Sequence, residues 1–243
     1  MEPVISVKDV SMMFNLSRDR VMGLKEYVVK ALSRQLFFDE FWALKNISFD
    51  VMRGEILGIM GLNGAGKSTL LKLITGVFKP TEGSIMVNGS IAPLLELGTG
   101  FDYEFSAKEN IYMNGAMFGK SPAYMDNVYK EIMDFAELWE FEDVPLKNFS
   151  TGMGARLGFA VATNVEADIL ILDEVLGVGD YRFQEKCKGR IGAMISGGAT
   201  VLLVSHDAEI VKKLCTRALV LKNGEMICIG DVAGVCKEYM NEQ

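Results

Sequence analysis

The sequence predicts an α/β fold with a mostly parallel sheet, an antiparallel β subdomain and an inserted helical subdomain. Three observations lead there. Residues 55–60, 168–173 and 200–204 are short apolar runs separated by helical stretches. A strand that is apolar throughout belongs in a parallel sheet covered on both faces. A glycine-rich loop joins the first of these runs to an apolar helix over residues 61–75, and residues 97–165 are helical in pattern for most of their length.

The chain of 243 residues reads as one domain, with an N-terminal helical insertion at about 15–41 and the helical subdomain at about 98–165. It carries 25 basic and 32 acidic side chains, a net charge of −7. That balance argues against nucleic acid as a partner. The four cysteines, Cys187, Cys215, Cys228 and Cys236, form no CxxC pair, and the chain has one histidine. A zinc centre has little to build on, so free thiols in a reducing cytosol are expected. The N-terminus lacks a signal-peptide core, and no apolar run reaches the ~20 residues that span a bilayer. The protein is expected to be soluble or to reach a membrane through a partner.

Taken in order, Val4, Ile5, Val7 and Val10 open a first strand that leads to Phe14. Residues 15–41 interrupt the strand pattern. Within them Val21, Leu24, Val28, Ala31 and Leu32 share one helical face, and Glu26 precedes Lys30 in the favourable i,i+4 order. Residues 18–34 hold five basic and two acidic side chains, a basic segment in an acidic chain. Strand character returns at 43–51, and Gly54 marks a turn. Residues 84–87 and 91–95 read as strands of a hairpin around Asn88-Gly89, and residues 218–222 and 226–229 as a second hairpin around Asn223-Gly224. Ser106 and Glu109 make a capping box that opens one helix. The tail from 233 is a short helix or a frayed end.

Gly61-Leu-Asn63-Gly64-Ala65-Gly66-Lys67-Ser68 matches the spacing GxxxxGK[ST], and Thr69 follows inside the helix. Backbone N–H groups of such a loop converge on phosphate oxygens, and glycines keep side chains out of the way. Lys67 supplies a mobile charge to the β- and γ-phosphates, and Ser68 offers a hydroxyl to Mg²⁺. The motif therefore implies a P-loop NTPase core. No NKxD-type guanine-reading segment is present. Asp173-Glu174 ends a buried strand at the sheet edge where ligands bind. Asp173 suits Mg²⁺ through its water shell, and Glu174 is placed to polarise the water that attacks a γ-phosphate. His206 follows the next apolar strand and reaches the same edge, as a switch that contacts the γ-phosphate.

With these residues in order, the chain resembles ABC transporter ATP-binding subunits over almost its whole length. Glu96 in LLELG stands where that family carries a glutamine loop, Ser150-Thr151-Gly152-Met153 stands in the signature, and Asp180 stands in the D-loop. The finer resemblance is to the bacterial polysaccharide exporters of the O-antigen and teichoic-acid group, carried by APLLELGTGFDYEFSAKENIYMNG, NFSTGMGARLGFAVAT and LDEVLGVGDYRFQEKC. It implies an ATPase using ATP and Mg²⁺, with Glu96 as an added acid near the cation. It implies that Ser150 to Met153 close on the ATP of a second copy, and that a homodimer works with two integral-membrane subunits at the cytoplasmic face of the bacterial cytoplasmic membrane. The insertion helix then either faces the membrane subunit or lipid headgroups, or covers the sheet as a plain surface helix. Phe14 matches the family's adenine-stacking position, with Phe41 and Trp42 as alternatives. Other transport ATPases, a soluble ABC mechanoenzyme and a nucleotide-binding regulator are the competing readings; the last two fit less well, for want of coiled coils or a second ATP module and because Glu174 is present.

Overall fold

The computed structural model describes residues 2–17, 38–94, 98, 100–165, 167–173 and 179–241. Nine strands run in chain order among them: β1 (Ile5–Ser17), β2 (Phe38–Val51), β3 (Ile56–Met60), β4 (Glu82–Val87), β5 (Ile91–Pro93), β6 (Ile169–Asp173), β7 (Thr200–Val204), β8 (Arg217–Lys222) and β9 (Glu225–Asp231). The described helices are α1 (Lys67–Ile74), α2 (Ala107–Met117), α3 (Pro122–Ala136), α4 (Thr151–Asn164), α5 (Tyr181–Ser196), α6 (Ala208–Leu214) and α7 (Val232–Asn241). Both β subdomains of the expected fold are present. A six-stranded sheet runs β5-β6-β7-β3-β8-β9, parallel except for the β8–β9 hairpin, and an antiparallel sheet runs β2-β1-β4.

The apolar runs explain the layering. Ile169 and Ile171, Leu57 and Ile59, and Leu202 and Val204 point to one face and pack with α1 and the small sheet. Leu170 and Leu172, Ile56 and Met60, and Val201 and Leu203 point to the other and meet Phe183, Cys187 and Val211 of α5 and α6. The period-two alternation thus fills two cores, one on each face. A third core, built on Ile111, Met125, Ile132, Met133 and Leu157, belongs to the helical lobe of α2, α3 and α4. Its first helix starts as expected: Ser106 Oγ accepts from the Glu109 amide at 3.2 Å, and the Glu109 carboxylate accepts from the Ser106 amide at 2.8 Å.

Two local expectations need correction. Asn88-Gly89 does not close a hairpin. β4 pairs antiparallel with β1 in the small sheet, whereas β5 pairs parallel with β6 in the large one. The crossing is fixed by contacts from distant residues. Val4 O accepts from the Asn88 amide at 2.8 Å, and the Asp168 carboxylate accepts from the Ser90 amide at 2.9 Å and the Ser90 hydroxyl at 3.0 Å. These bonds, with Arg53 at 3.0 Å, hold the Asp168 carboxyl below the usual carboxylate range. The second correction concerns residues 15–41. Asn15 pairs with Glu40, Leu16 with Asp39 and Ser17 with Phe38, so β1 and β2 extend well into that span. Cross-strand pairing stabilises polar residues that show no strand pattern of their own. The helix read over 21–32 lies outside the described residues. The Asn223-Gly224 hairpin is as expected, with both residues at positive φ (53° and 80°). All four cysteines are free thiols, and burial pushes Cys187 up to about 11 and Cys215 up to about 12.

Candidate nucleotide site

The phosphate loop leaves the C-terminal end of β3, which sits between β7 and β8 in the sheet. Its shape requires glycine. Gly61 and Gly66 have φ of 152° and 106°. A Cβ on Gly66 would lie 2.7 Å from Leu44 Cδ2 and 2.9 Å from Ala43 O, and one on Gly61 would lie 2.4 Å from Leu221 O. Ala65 O accepts from the Gly224 amide at 3.1 Å, and Gly224 O accepts from the Lys45 amide at 2.8 Å. The β8–β9 turn therefore props the loop from below, a role its sequence did not disclose. Lys67 Nζ donates to Gly61 O at 2.6 Å and Leu62 O at 3.0 Å, which keeps the ammonium over the loop.

A cavity of ≈ 470 Å³ opens on this loop, lined by Asn63 through Thr69 together with Phe41, Ala43, Val204, Ser205 and His206. Strand register explains why distant residues meet here. Val204 pairs with Asp173 on one side and Ile59 on the other, so the ends of β6, β7 and β3 form one edge. His206 comes two residues later and is exposed to the cavity. Ser205 Oγ accepts from the Asp207 amide at 2.9 Å, and the Asp207 carboxylate accepts from the Glu209 and Ile210 amides, so the residues around His206 are fixed to the start of α6. Asp173 closes β6 at that edge; Glu174 and Glu96 lie outside the described residues.

Among the described residues, Phe41, 51% exposed, is the aromatic ring that lines the cavity; Phe14 and Trp42 do not line it. Phe14 is Phe41's direct partner across β1–β2, so the two share a sheet face. Phe14 packs edge-on against Phe78 with centroids 5.7 Å apart, and Lys72 Nζ sits 5.6 Å from the Phe78 centroid.

Ser150, Thr151, Gly152, Met153 and Asp180 gather at a different cavity of ≈ 610 Å³, together with Ala155, Arg156 and Gly179. Ser150 Oγ accepts from the Met153 amide at 3.2 Å and caps α4 as expected. Asp180 caps α5 by accepting from the Phe183 amide at 3.0 Å, and it also receives Arg156. These contacts, the Phe183 amide first, hold its carboxyl below the usual range. Arg156 carries no local signal in the sequence, because its partners Glu137 and Asp180 are remote along the chain. Among the described residues, the cavities of the phosphate loop and of Ser150 share no lining residue.

The sheet edge, the loop and the ring above it define a P-loop nucleotide-binding protein of the α/β class. The ABC transporter family profile matches residues 44–177, and the chain belongs to that family. It is 45% identical to the ABC transporter protein AbcA of Aeromonas salmonicida, over 98% of this chain and 76% of that protein. It is 41% identical to an O-antigen export system ATP-binding protein RfbB of Klebsiella pneumoniae, over 98% of both chains. A teichoic acids export ATP-binding protein TagH of Listeria innocua is 36% identical over 97% of this chain and 69% of its own. Among solved structures, an ATP-binding subunit of an ABC transporter superposes with a TM-score of 0.74 at 23% identity, covering 98% of this chain and 93% of that one. A dimeric post-hydrolysis cassette bound to ADP and Pi reaches 0.71 at 22% identity, covering 94% and 98%. Both have the same fold. No helix among the described residues is long and apolar enough to cross a membrane.

Proposed function

We propose that this protein is the ATP-hydrolysing subunit of an exporter that moves a lipid-linked polysaccharide or polyol-phosphate polymer across the bacterial cytoplasmic membrane. The observation that carries the ATPase reading is the ≈ 470 Å³ cavity, where the phosphate loop, the end of β7, His206 and an exposed aromatic ring meet. The polymer reading rests on relatives named for O-antigen and teichoic acid export, which match nearly the whole chain.

In this reading the triphosphate lies along the loop from Gly61 to Thr69, cradled by its N–H groups, and Lys67 leaves the loop carbonyls for the β- and γ-oxygens. Glu174 polarises the attacking water and His206 holds the γ-phosphate against it. Phe41 takes the adenine ring, with Phe14 beside it on the same sheet face. The donor set fits Mg²⁺. The Ser68 hydroxyl and Asp173, with Glu96 as a further acid, would hold the cation together with the phosphate oxygens of the nucleotide. When bound, Mg²⁺ neutralises charge on the β- and γ-phosphates. The separate Ser150 cavity supports a homodimer in which Ser150, Thr151, Gly152 and Met153 of each copy close on the other's nucleotide. Two integral-membrane subunits then make the membrane contact at the cytoplasmic face, and the ATPase stays peripheral.

Because Ser17 pairs with Phe38, a short turn joining those strand ends can take the place of residues 18–37. Such a chain is expected to keep basal ATPase activity and to lose export in cells if the basic segment meets the membrane subunit or anionic headgroups. Purification from the native host, with mass spectrometry of co-purified protein and lipid, tests the whole proposal. An integral-membrane partner bearing a glycan- or polyol-phosphate-linked lipid is expected. A soluble partner, or a membrane partner bearing only a small solute or drug, overturns it.

A further inference from the structure

The aromatic ring and the phosphate loop line the same cavity but ride on different sheets. Phe41 lies on β2 of the small sheet, and the loop leaves β3 of the large one. The two meet beside the cavity at Ala43. Met12 pairs with Leu44 and Met13 with Trp42, so the register of β1 with β2 steps over Ala43 and makes it a β-bulge. Its carbonyl is wedged between two glycines. A Cβ on Gly66 of the loop would lie 2.9 Å from Ala43 O. A Cβ on Gly224 of the β8–β9 turn would lie 2.6 Å from that oxygen and 3.0 Å from the carbon that bears it. Gly224 also holds both sides through its own backbone. Its amide donates to Ala65 O of the loop at 3.1 Å, and its carbonyl accepts from the Lys45 amide of β2 at 2.8 Å. The next residue adds a second tie to β2, with Lys45 Nζ 3.3 Å from the Glu225 carboxylate.

We infer that the β8–β9 turn fixes the span between the base-stacking ring and the phosphate loop, with Gly224 as the positioning residue that sets it. A nucleoside triphosphate carries its base and its phosphates at a separation limited by the ribose and the phosphate chain. Both ends are held at once only when ring and loop keep a matching gap. Ala43 stands two residues from Phe41, and a bulge re-aims the side chains of its strand. The close approach of Gly66 and Gly224 stops Ala43 from moving inward, and the two Gly224 hydrogen bonds stop it from receding. Asn223 and Gly224 both stand at positive φ (53° and 80°), which makes the turn short and stiff. The nearest atoms that a side chain at 224 would meet, Ala43 O, Ala43 C and Leu44 Cα, all belong to β2. Such a side chain therefore pushes β2, and Phe41 with it, away from the loop, so the base loses its partner while the phosphates keep theirs. The inference rests on the reading of Phe41 as the adenine contact.

The test uses the full-length chain, MgATP and inorganic tripolyphosphate, which offers phosphates without a base. Gly224→Ala is expected to raise KM for ATP about fivefold, with kcat changed by less than about twofold. The Ki of tripolyphosphate as an inhibitor should stay within about twofold of wild type, a result that general loosening of the loop would not give. In a Phe41→Ala background the same change at Gly224 should raise KM by less than about twofold, because the stacking it disturbs is already gone. Gly224→Asn carries the same Cβ and tolerates positive φ better, so it runs the same comparison should the alanine variant not fold. If Phe41→Ala alone leaves KM for ATP unchanged, the base-stacking reading fails and this inference with it. If Phe41→Ala raises KM while substitution at Gly224 leaves it unchanged, weakens ATP and tripolyphosphate alike, or multiplies with the loss at Phe41, only the role of the turn is overturned.

Discussion

Two helices of this chain begin at cavities of nucleotide size, and their first turns are completed in different ways. α1 starts at Gly66 in a left-handed conformation (φ 106°, ψ 0°) with no side-chain cap. α4 starts at Ser150 in an extended conformation (φ −68°, ψ 158°), and its own hydroxyl takes the Met153 amide. A helix start leaves donors that need partners, and its dipole favours an anion there. At α1 the loop arranges backbone donors and adds Lys67, so that end is built to take phosphate by itself. At α4 the cap already satisfies one donor, and the nearby cation Arg156 is paired with Asp180 and Glu137. The difference is what the proposed arrangement requires, a primary site on each copy and a secondary one that gains its ligand from a neighbour.

Five variants can break or sharpen this contrast. Lys67→Ala removes the ammonium of the α1 site and is expected to cut phosphate release about a thousandfold. Activity near wild type in that variant would remove the site assignment altogether. Glu174→Gln keeps the shape of the acid but not its basicity, and is expected to slow turnover about a hundredfold or more while trapping an ATP-dependent dimer visible by gel filtration. A chain that stays monomeric at high protein and MgATP concentrations would mean that the α4 site has no partner nucleotide. Phe41→Ala is expected to raise KM for ATP roughly tenfold, since base stacking on an aromatic ring is worth about 1–3 kcal/mol, and Phe14→Ala should raise it less. The reverse order would return the adenine contact to Phe14. The smallest effect belongs to Ser150→Ala, which loses a helix cap worth about 1 kcal/mol. Melting should fall by about 2–4 °C, and ATP binding to the isolated monomer should be unchanged, because α1 alone supplies that site. Weakened binding by the monomer would show that the two helix starts are not independent.

Lowering the pH offers a further check on the contacts between α3, α4 and α5 and on the crossing between sheets. Asp168, Asp180 and Glu137 all have carboxyls held below their ordinary range, by Ser90 first, the Phe183 amide first and Lys186 first, respectively. A depressed folded value means that the stabilisation is present above the unfolded value near pH 4 and is lost as pH falls through the folded one. All three groups are largely exposed, so solvent screens the effect and the shift in midpoint is expected to be small.

Local chemistry was legible in the sequence. The strands of the parallel sheet announced themselves because residues buried on both faces must be apolar at every position, as residues 169–172 and 201–204 are. The phosphate loop was legible because only glycine tolerates the conformations at Gly61 and Gly66. The caps at Ser106 and Ser150 were legible because donor and acceptor lie three residues apart. Contacts between distant segments were decided by the tertiary structure. Asn88-Gly89 has the chemistry of a hairpin turn, yet Val4 and Asp168 send the strands it separates to different sheets. Phe14 and Phe41 are equally aromatic, and only the pairing of β1 with β2 places Phe41 at the cavity. Arg156 meets Glu137 and Asp180, 19 and 24 residues away, because α3, α4 and α5 pack together. Periodicity, conformational preference and capping act over a few residues and leave their mark in order along the chain, whereas partners brought together by packing leave none.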